Sequence, residues 1–197
     1  NLSYLSLVRK YLSKYKISKY KIILEPYKKN TAPAILSCAL LKEVSYEQPM
    51  IFFPADHLIE KTNQFNKSIN LNKKYLNEDN VFIFGIKPNS PSSQYGYFLT
   101  RKISKNINKV IKFIEKPKIN NAKKILKKKG YWNSGILFAR KDSIINNFKK
   151  YQFKTLNLCI HSINKSKISK NVYYLNKKSY KKIQEKSFDL AILEKSR

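Results

Sequence analysis

Asp56 stands just after a short apolar run, Met50-Ile51-Phe52-Phe53, that Pro54 interrupts. Such a run suits a strand buried on both faces of a mainly parallel sheet, and a proline cannot continue the ladder. The carboxylate is therefore expected just past a strand's carboxyl end. In open α/β sheets ligands bind at that edge, and one carboxylate beside bound phosphates is the usual protein share of a Mg²⁺ site. The plain alternative is a turn aspartate ahead of a helix that begins near Thr62. Three more positions offer related chemistry. Glu115 and Lys116 set opposite charges side by side at the end of an alternating stretch, as a ligand-binding pair or as a solvated ion pair. Asp189 follows Ser187 at the start of a helical pattern, where it serves a ligand or only favours the helix N-terminus. Glu25 closes a second apolar run, Ile22-Ile23-Leu24, ahead of Pro26.

These residues need a frame to hold them. Leu5, Val8, Leu12 and Tyr15 recur at helical steps with Arg9, Lys10 and Lys14 between them, which predicts an amphipathic helix. Ile22 to Leu24 is a strand. Thr31-Ala32-Pro33 opens a helix, with Thr31 as N-cap and proline in the first turn. Met50 to Phe53 is the next strand, Phe65 to Leu76 a surface helix and Val81 to Ile86 a third strand. This alternation predicts a parallel sheet with crossovers, covered on both sides. Tyr95 to Thr100 and Lys109 to Glu115 then read as strands joined by a turn. Ala122 to Lys128 is a short helix ended by Gly130, and Trp132 to Ala139 a further strand. Trp132 is expected as a packed aromatic. Residues 141–186 are rich in Lys and Asn, hold scattered apolar residues that permit helices, and show no chemistry. Ser187 is expected to cap a final helix with Asp189 in its first turn.

At 197 residues the chain suits one α/β domain, without an internal repeat or a Pro/Gly/Ser linker. The formal charge of +29 would suit a polyanion partner. However, the lysines run along the whole length in company with Asn, Ile and Tyr, all residues with AT-rich codons. Base-composition bias accounts for that pattern, and no nucleic-acid recognition motif accompanies it. A positive field would still attract nucleotide and sugar phosphates. Cys38 and Cys159 lie far apart without metal-ligand spacing, which suits a reducing, cytoplasmic compartment. No apolar run approaches the ~20 residues of a membrane helix.

Six stretches taken in order resemble the nucleotidyltransferase domain of the bacterial mannose-1-phosphate guanylyltransferases, also called GDP-mannose pyrophosphorylases. They are Ile23-Leu24-Glu25-Pro26 with Asn30-Thr31-Ala32-Pro33-Ala34, Pro54-Ala55-Asp56-His57, Tyr95-Gly96-Tyr97, Phe113-Ile114-Glu115-Lys116-Pro117, Trp132-Asn133-Ser134-Gly135 and Ser187-Phe188-Asp189. The resemblance implies a Rossmann-like α/β domain with a mainly parallel, mixed sheet. It also implies attack of mannose 1-phosphate on the α-phosphate of GTP, with Mg²⁺ as cofactor. In such a site Asp56 and Asp189 would be the metal carboxylates, and Lys116 would hold the sugar's phosphate. Glu115 and Asn133 would bind sugar hydroxyls. Gly96, with Tyr97 beside it, would let the backbone approach the hexose. Glu25 would accept hydrogen bonds from the guanine N1–H and N2 amino edge, framed by Asn30, Thr31 and Pro33.

The resemblance further implies that residues 1–197 are part of a longer catalytic domain. The glycine-rich loop that cradles the triphosphate in that family should precede residue 1. The chain alone is then expected to be weakly active or inactive, with a second copy or a partner chain needed to supply the loop. Lys28 stands where the family usually carries glycine, a departure that would distort the nucleotide loop if that position needs φ > 0. Two other readings follow from the same residues: a non-catalytic fragment of such an enzyme, and a basic nucleic-acid-binding protein.

Overall fold

A computed structural model describes residues 1–104 and 107–196. After a single 3-10 turn, α1 (Leu5–Lys14) leads to β1 (Ile22–Leu24), α2 (Thr31–Ala39) and β2 (Pro49–Phe52). Then come α3 (Thr62–Asn72), β3 (Val81–Ile86), β4 (Tyr97–Lys102), β5 (Asn108–Ile114), α4 (Ile119–Lys127) and β6 (Tyr131–Arg140). The chain continues through α5 (Lys141–Tyr151), α6 (Phe153–Asn164), β7 (Lys167–Ser169), β8 (Val172–Tyr174) and α7 (Lys177–Lys181), and reaches a single π-helical turn at Asp189–Leu193.

The α/β class and the mixed sheet are as expected, while the balance of directions differs. Among the described ladders only β1·β8 is parallel, and every pairing in the larger sheet is antiparallel. The cause is β6. It enters between β2 and β3, so that Ala139 faces both Met50 and Val81, and Leu137 faces both Phe52 and Ile83. Since β2 and β3 both oppose β6, they run parallel to each other, as their α3 crossover requires, but no described ladder joins them. The two sheets remain separate, with order β1-β8-β7 in one and β2-β6-β4-β5 with β3 against β6 in the other.

One edge of β6 is shared in a way that matters for function. Its C-terminal half pairs with β2 as far as Phe52↔Leu137, and its start pairs with β4 at Tyr97↔Trp132. Between these ladders lie Asn133 to Ile136, where β2 has already left at Pro54 and β4 has not yet begun. A split in one sheet edge, at the carboxyl end of one strand, is where α/β folds place ligands.

The main core packs α2, α5, α6, α7 and the π-turn onto Leu137 and Ala139 of β6 through residues such as Leu36, Ile144, Phe148, Leu156 and Ile183. Residues 141–186 therefore carry much of the core and three helices. Their helical spacing is real, with Ile144 and Phe148 four apart and Leu156, Cys159 and Ile163 three and four apart, but it is diluted by Lys and Asn. A second small core sets Leu5 and Leu12 of α1 against Ile22, Leu24 and Val172. The third places Ala122 and Ile125 of α4 on Tyr97.

Several local expectations shift. The N-cap of α2 is Asn30, whose Oδ1 accepts from the Thr31 amide at 2.9 Å. Residue 28 does not take a positive φ. Asn30 does instead, at φ of 67° and ψ of −170°, a strained conformation that is otherwise nearly confined to glycine. β2 is half-buried throughout instead of enclosed, because β6 pairs only one of its edges among the described ladders.

Candidate active site

The split edge of β6 gathers a connected group. Asn133 donates its amide N–H to the Gly96 carbonyl at 2.8 Å, which fastens the start of β4 to β6. Asn133 Nδ2 donates to Asp189 Oδ1 at 2.6 Å, across 56 residues of sequence. The Glu115 amide N–H donates to Glu194 Oε1 at 3.0 Å. Gly96 completes the group by leaving room. A Cβ built on it would lie 2.5 Å from Glu115 Oε2, 3.2 Å from Phe113 Cζ and 3.5 Å from Asn133 Cβ. The glycine thus makes space for a carboxylate of this chain, as well as for any ligand at the split. Lys116 follows Glu115 with φ of 42°, a left-handed conformation that costs a lysine roughly 1–2 kcal/mol.

The carboxylates here are hard to ionise. Burial raises the pKa of Glu115 most, the charges of Asp189 and Glu194 add to the rise, and Lys116 opposes it. Burial likewise raises Asp189, with Glu194 adding to the rise, while the hydrogen bond from Asn133 and the Lys116 charge pull the other way. A half-buried pair of this kind binds cations or hydrogen-bond donors such as sugar hydroxyls, and Lys116, exposed beside it, offers a charge to a phosphate.

Asp56 lies just outside this group. It sits on the exposed loop after β2, with an oxygen 3.9 Å from His57 Nε2. The loop meets the split where Pro54 Cγ comes 3.2 Å from the Cβ position of Gly135, a residue at φ of 74°. No described hydrogen bond or ion pair joins Asp56 to Asp189, and no three or more His, Cys, Asp or Glu side chains among the described residues are arranged to hold a metal. Mg²⁺ is commonly held by one or two carboxylates with substrate phosphates and water completing its shell. An exposed carboxylate at Asp56, and the Asp189 oxygen that Asn133 does not engage, are hard-oxygen donors of the required type.

The expected base-side residues form a second neighbourhood. Glu25 is partly buried and accepts a hydrogen bond from the Tyr180 hydroxyl, itself fully buried. Burial is the largest cause of its raised pKa, and the Tyr180 bond counters it. Thr31 does not cap α2. Its Oγ1 accepts from the Phe188 amide at 2.9 Å, and the Ala32 amide donates to the Lys186 carbonyl at 3.2 Å. The α2 entrance is thereby bolted to the residue just before Asp189, and Pro33 is buried beneath it. Tyr97 differs from expectation: it is fully buried, with its hydroxyl donating to the Ser92 carbonyl and accepting from the Ser92 amide. It braces the 92–97 segment from inside. Trp132 packs on Tyr95 and Tyr97, as its type suggested.

The family model described as Nucleotidyl transferase matches residues 3–182, most of the chain. The chain belongs to the nucleotidyl transferase family. Among its relatives, a mannose-1-phosphate guanylyltransferase from Escherichia coli is 30% identical over 191 residues, covering 89% of this chain and 40% of that protein. The alginate biosynthesis protein AlgA of Pseudomonas fluorescens is 26% identical over 195 residues, covering 96% of this chain and 40% of that protein. A crystal structure of a mannose-6-phosphate isomerase from Helicobacter pylori superposes with a TM-score of 0.84 at 28% identity, covering 100% of this chain and 77% of that one. The chain spans about two fifths of the length of the curated relatives it matches. This nucleotidyl transferase fold thus brings together Gly96, Glu115, Lys116, Asn133 and Asp189 at one sheet edge. It adds Glu194, which belongs to none of the six stretches that carry the resemblance. The signal was present in the five-residue spacing from Asp189, but only a π-turn gives that spacing meaning.

Proposed function

We propose that this chain provides the sugar-phosphate and base side of a guanylyltransferase that makes GDP-mannose in the cytoplasm. The mannose 1-phosphate oxygen attacks the GTP α-phosphorus, the bond between the α-phosphorus and the bridging oxygen breaks, and pyrophosphate leaves. Phosphoryl-type transfers need positioning and charge neutralisation more than covalent help from the protein. Lys116 holds the sugar's phosphate, Glu115 and Asn133 orient hydroxyls, and Gly96 keeps the backbone close. Asp56 and Asp189 would hold a Mg²⁺ ion, which would neutralise charge on the phosphates. Glu25 reads the guanine edge beside Asn30, Thr31 and Pro33.

The observation that carries this reading is the convergence of Gly96, Glu115, Lys116, Asn133 and Asp189 on the split between β2 and β4 in a chain 30% identical to a mannose-1-phosphate guanylyltransferase. Calorimetric titration of the purified chain with GDP-mannose and Mg²⁺, run beside UDP-glucose, tests it. Selective GDP-mannose binding that Asp56→Ala weakens is the expected result. A folded chain that binds neither nucleotide sugar would overturn the reading.

A further inference from the structure

Glu194 is the member of the group at the split that the proposed function leaves unused. It is exposed, lies 79 residues from Glu115, and accepts that residue's main-chain N–H at 3.0 Å. It reaches there because of the π-turn. In an α-helix, residues five apart point about 140° away from each other. Here the Glu194 amide donates to the Asp189 carbonyl at 2.9 Å, an i→i+5 bond that brings the two residues onto one side of the turn. One carboxylate then meets Asn133 on β6, and the other meets the end of β5.

That end is where backbone geometry matters most. β5 stops at Ile114, and within two residues the chain takes φ of 42° at Lys116. A left-handed lysine persists only where its surroundings fix it. The Glu194 bond fixes the Ile114–Glu115 peptide, one peptide ahead of the one that leads into the lysine.

We infer that Glu194 is a positioning residue for sugar-phosphate binding: by accepting the Glu115 N–H it holds the Glu115 and Lys116 side chains against the split. This inference rests on the functional reading above. One consequence separates a positioning role from bulk stability: the acceptor oxygen matters for affinity, and glutamine retains one.

The experiment is titration of wild type, E194A and E194Q with GDP-mannose and Mg²⁺ at neutral pH, with circular dichroism confirming the fold. E194A is expected to bind about tenfold more weakly, and E194Q within about threefold of wild type. Wild-type-like binding by E194A overturns the inference, as does an equal loss in E194Q. If E194A does not fold, E194Q decides: affinity within about threefold of wild type supports the assignment, and a loss of about tenfold in a folded E194Q overturns it. Absence of binding by the wild-type chain would instead overturn the functional reading, and the role of Glu194 with it.

Discussion

The two carboxylate neighbourhoods raise their pKa values in different ways. At the split edge of β6, Glu115 and Asp189 are joined to the rest of the fold by bonds spanning 79 and 56 residues, and burial acts on them together with neighbouring negative charge. Glu25 is raised by burial, and its Tyr180 partner restrains the rise. A group of mutually repelling carboxylates gains when a cation or a set of donors arrives, because binding relieves the repulsion. A lone carboxylate held by a buried hydroxyl gains mainly from a partner that matches its remaining lone pairs. The first arrangement suits phosphate and sugar, the second a directional contact with a base edge.

Phe188 joins the two neighbourhoods, so its loss should have the largest effect. It is 2% exposed, packs on Phe148 at 6.1 Å between ring centroids, and gives its amide to Thr31. Phe188→Ala should cost about 3–5 kcal/mol in denaturant unfolding and weaken GDP-mannose binding, since both sides of the site lose their common anchor. A smaller, local effect is expected from Gly96→Ala. The new Cβ, 2.5 Å from Glu115 Oε2, displaces that side chain. Affinity for GDP-mannose should fall by roughly tenfold while unfolding stability changes by less than about 1 kcal/mol, since the displaced atom is the end of a flexible side chain. Equal losses of stability in both variants would remove the distinction between anchor and wall.

Glu25→Gln should show the smallest change in stability. The folded pKa of Glu25 lies above its ordinary value of 4.5, so the native state binds the extra proton first. Stability from this group therefore rises as pH falls from the raised value towards 4.5, and is reduced above it. Glutamine removes the titration and keeps an acceptor for Tyr180. The variant should lose that acid-side gain in a pH series of unfolding midpoints, while at neutral pH its stability stays within about 1 kcal/mol of wild type. A pH profile identical to wild type would show that Glu25 does not titrate in this range.

Most strands and the early helices were legible because short apolar runs ended at Pro54, Pro26 and Gly130, and punctuation of that kind survives a biased composition. The residues of the split were legible as types: Glu115 with Lys116, Asn133 before Gly135, Asp189 after Ser187. Their connections were not. Whether Asp189 meets Asn133 or Asp56 depends on a strand inserted antiparallel between two others, and pairing direction leaves no mark in a run such as Ile-Leu-Phe-Ala. Tyr97 illustrates the same limit, since a tyrosine beside Gly96 looks the same whether its ring points to a ligand or to the core. Residues 141–186 permitted helices without marking their bounds, because lysine and asparagine outnumber the apolar positions that face inward.

The place of β6 also sets an order of assembly. Among the described ladders β2 and β3 pair with nothing but β6, yet both are synthesised well before it. Until residue 140 has emerged, a nascent chain carries two β-rich segments with unpaired edges, a condition that invites association between molecules. The lysines dispersed along the sequence repel like chains through that interval, so a charge with no partner in the folded site still serves the protein while it is being made.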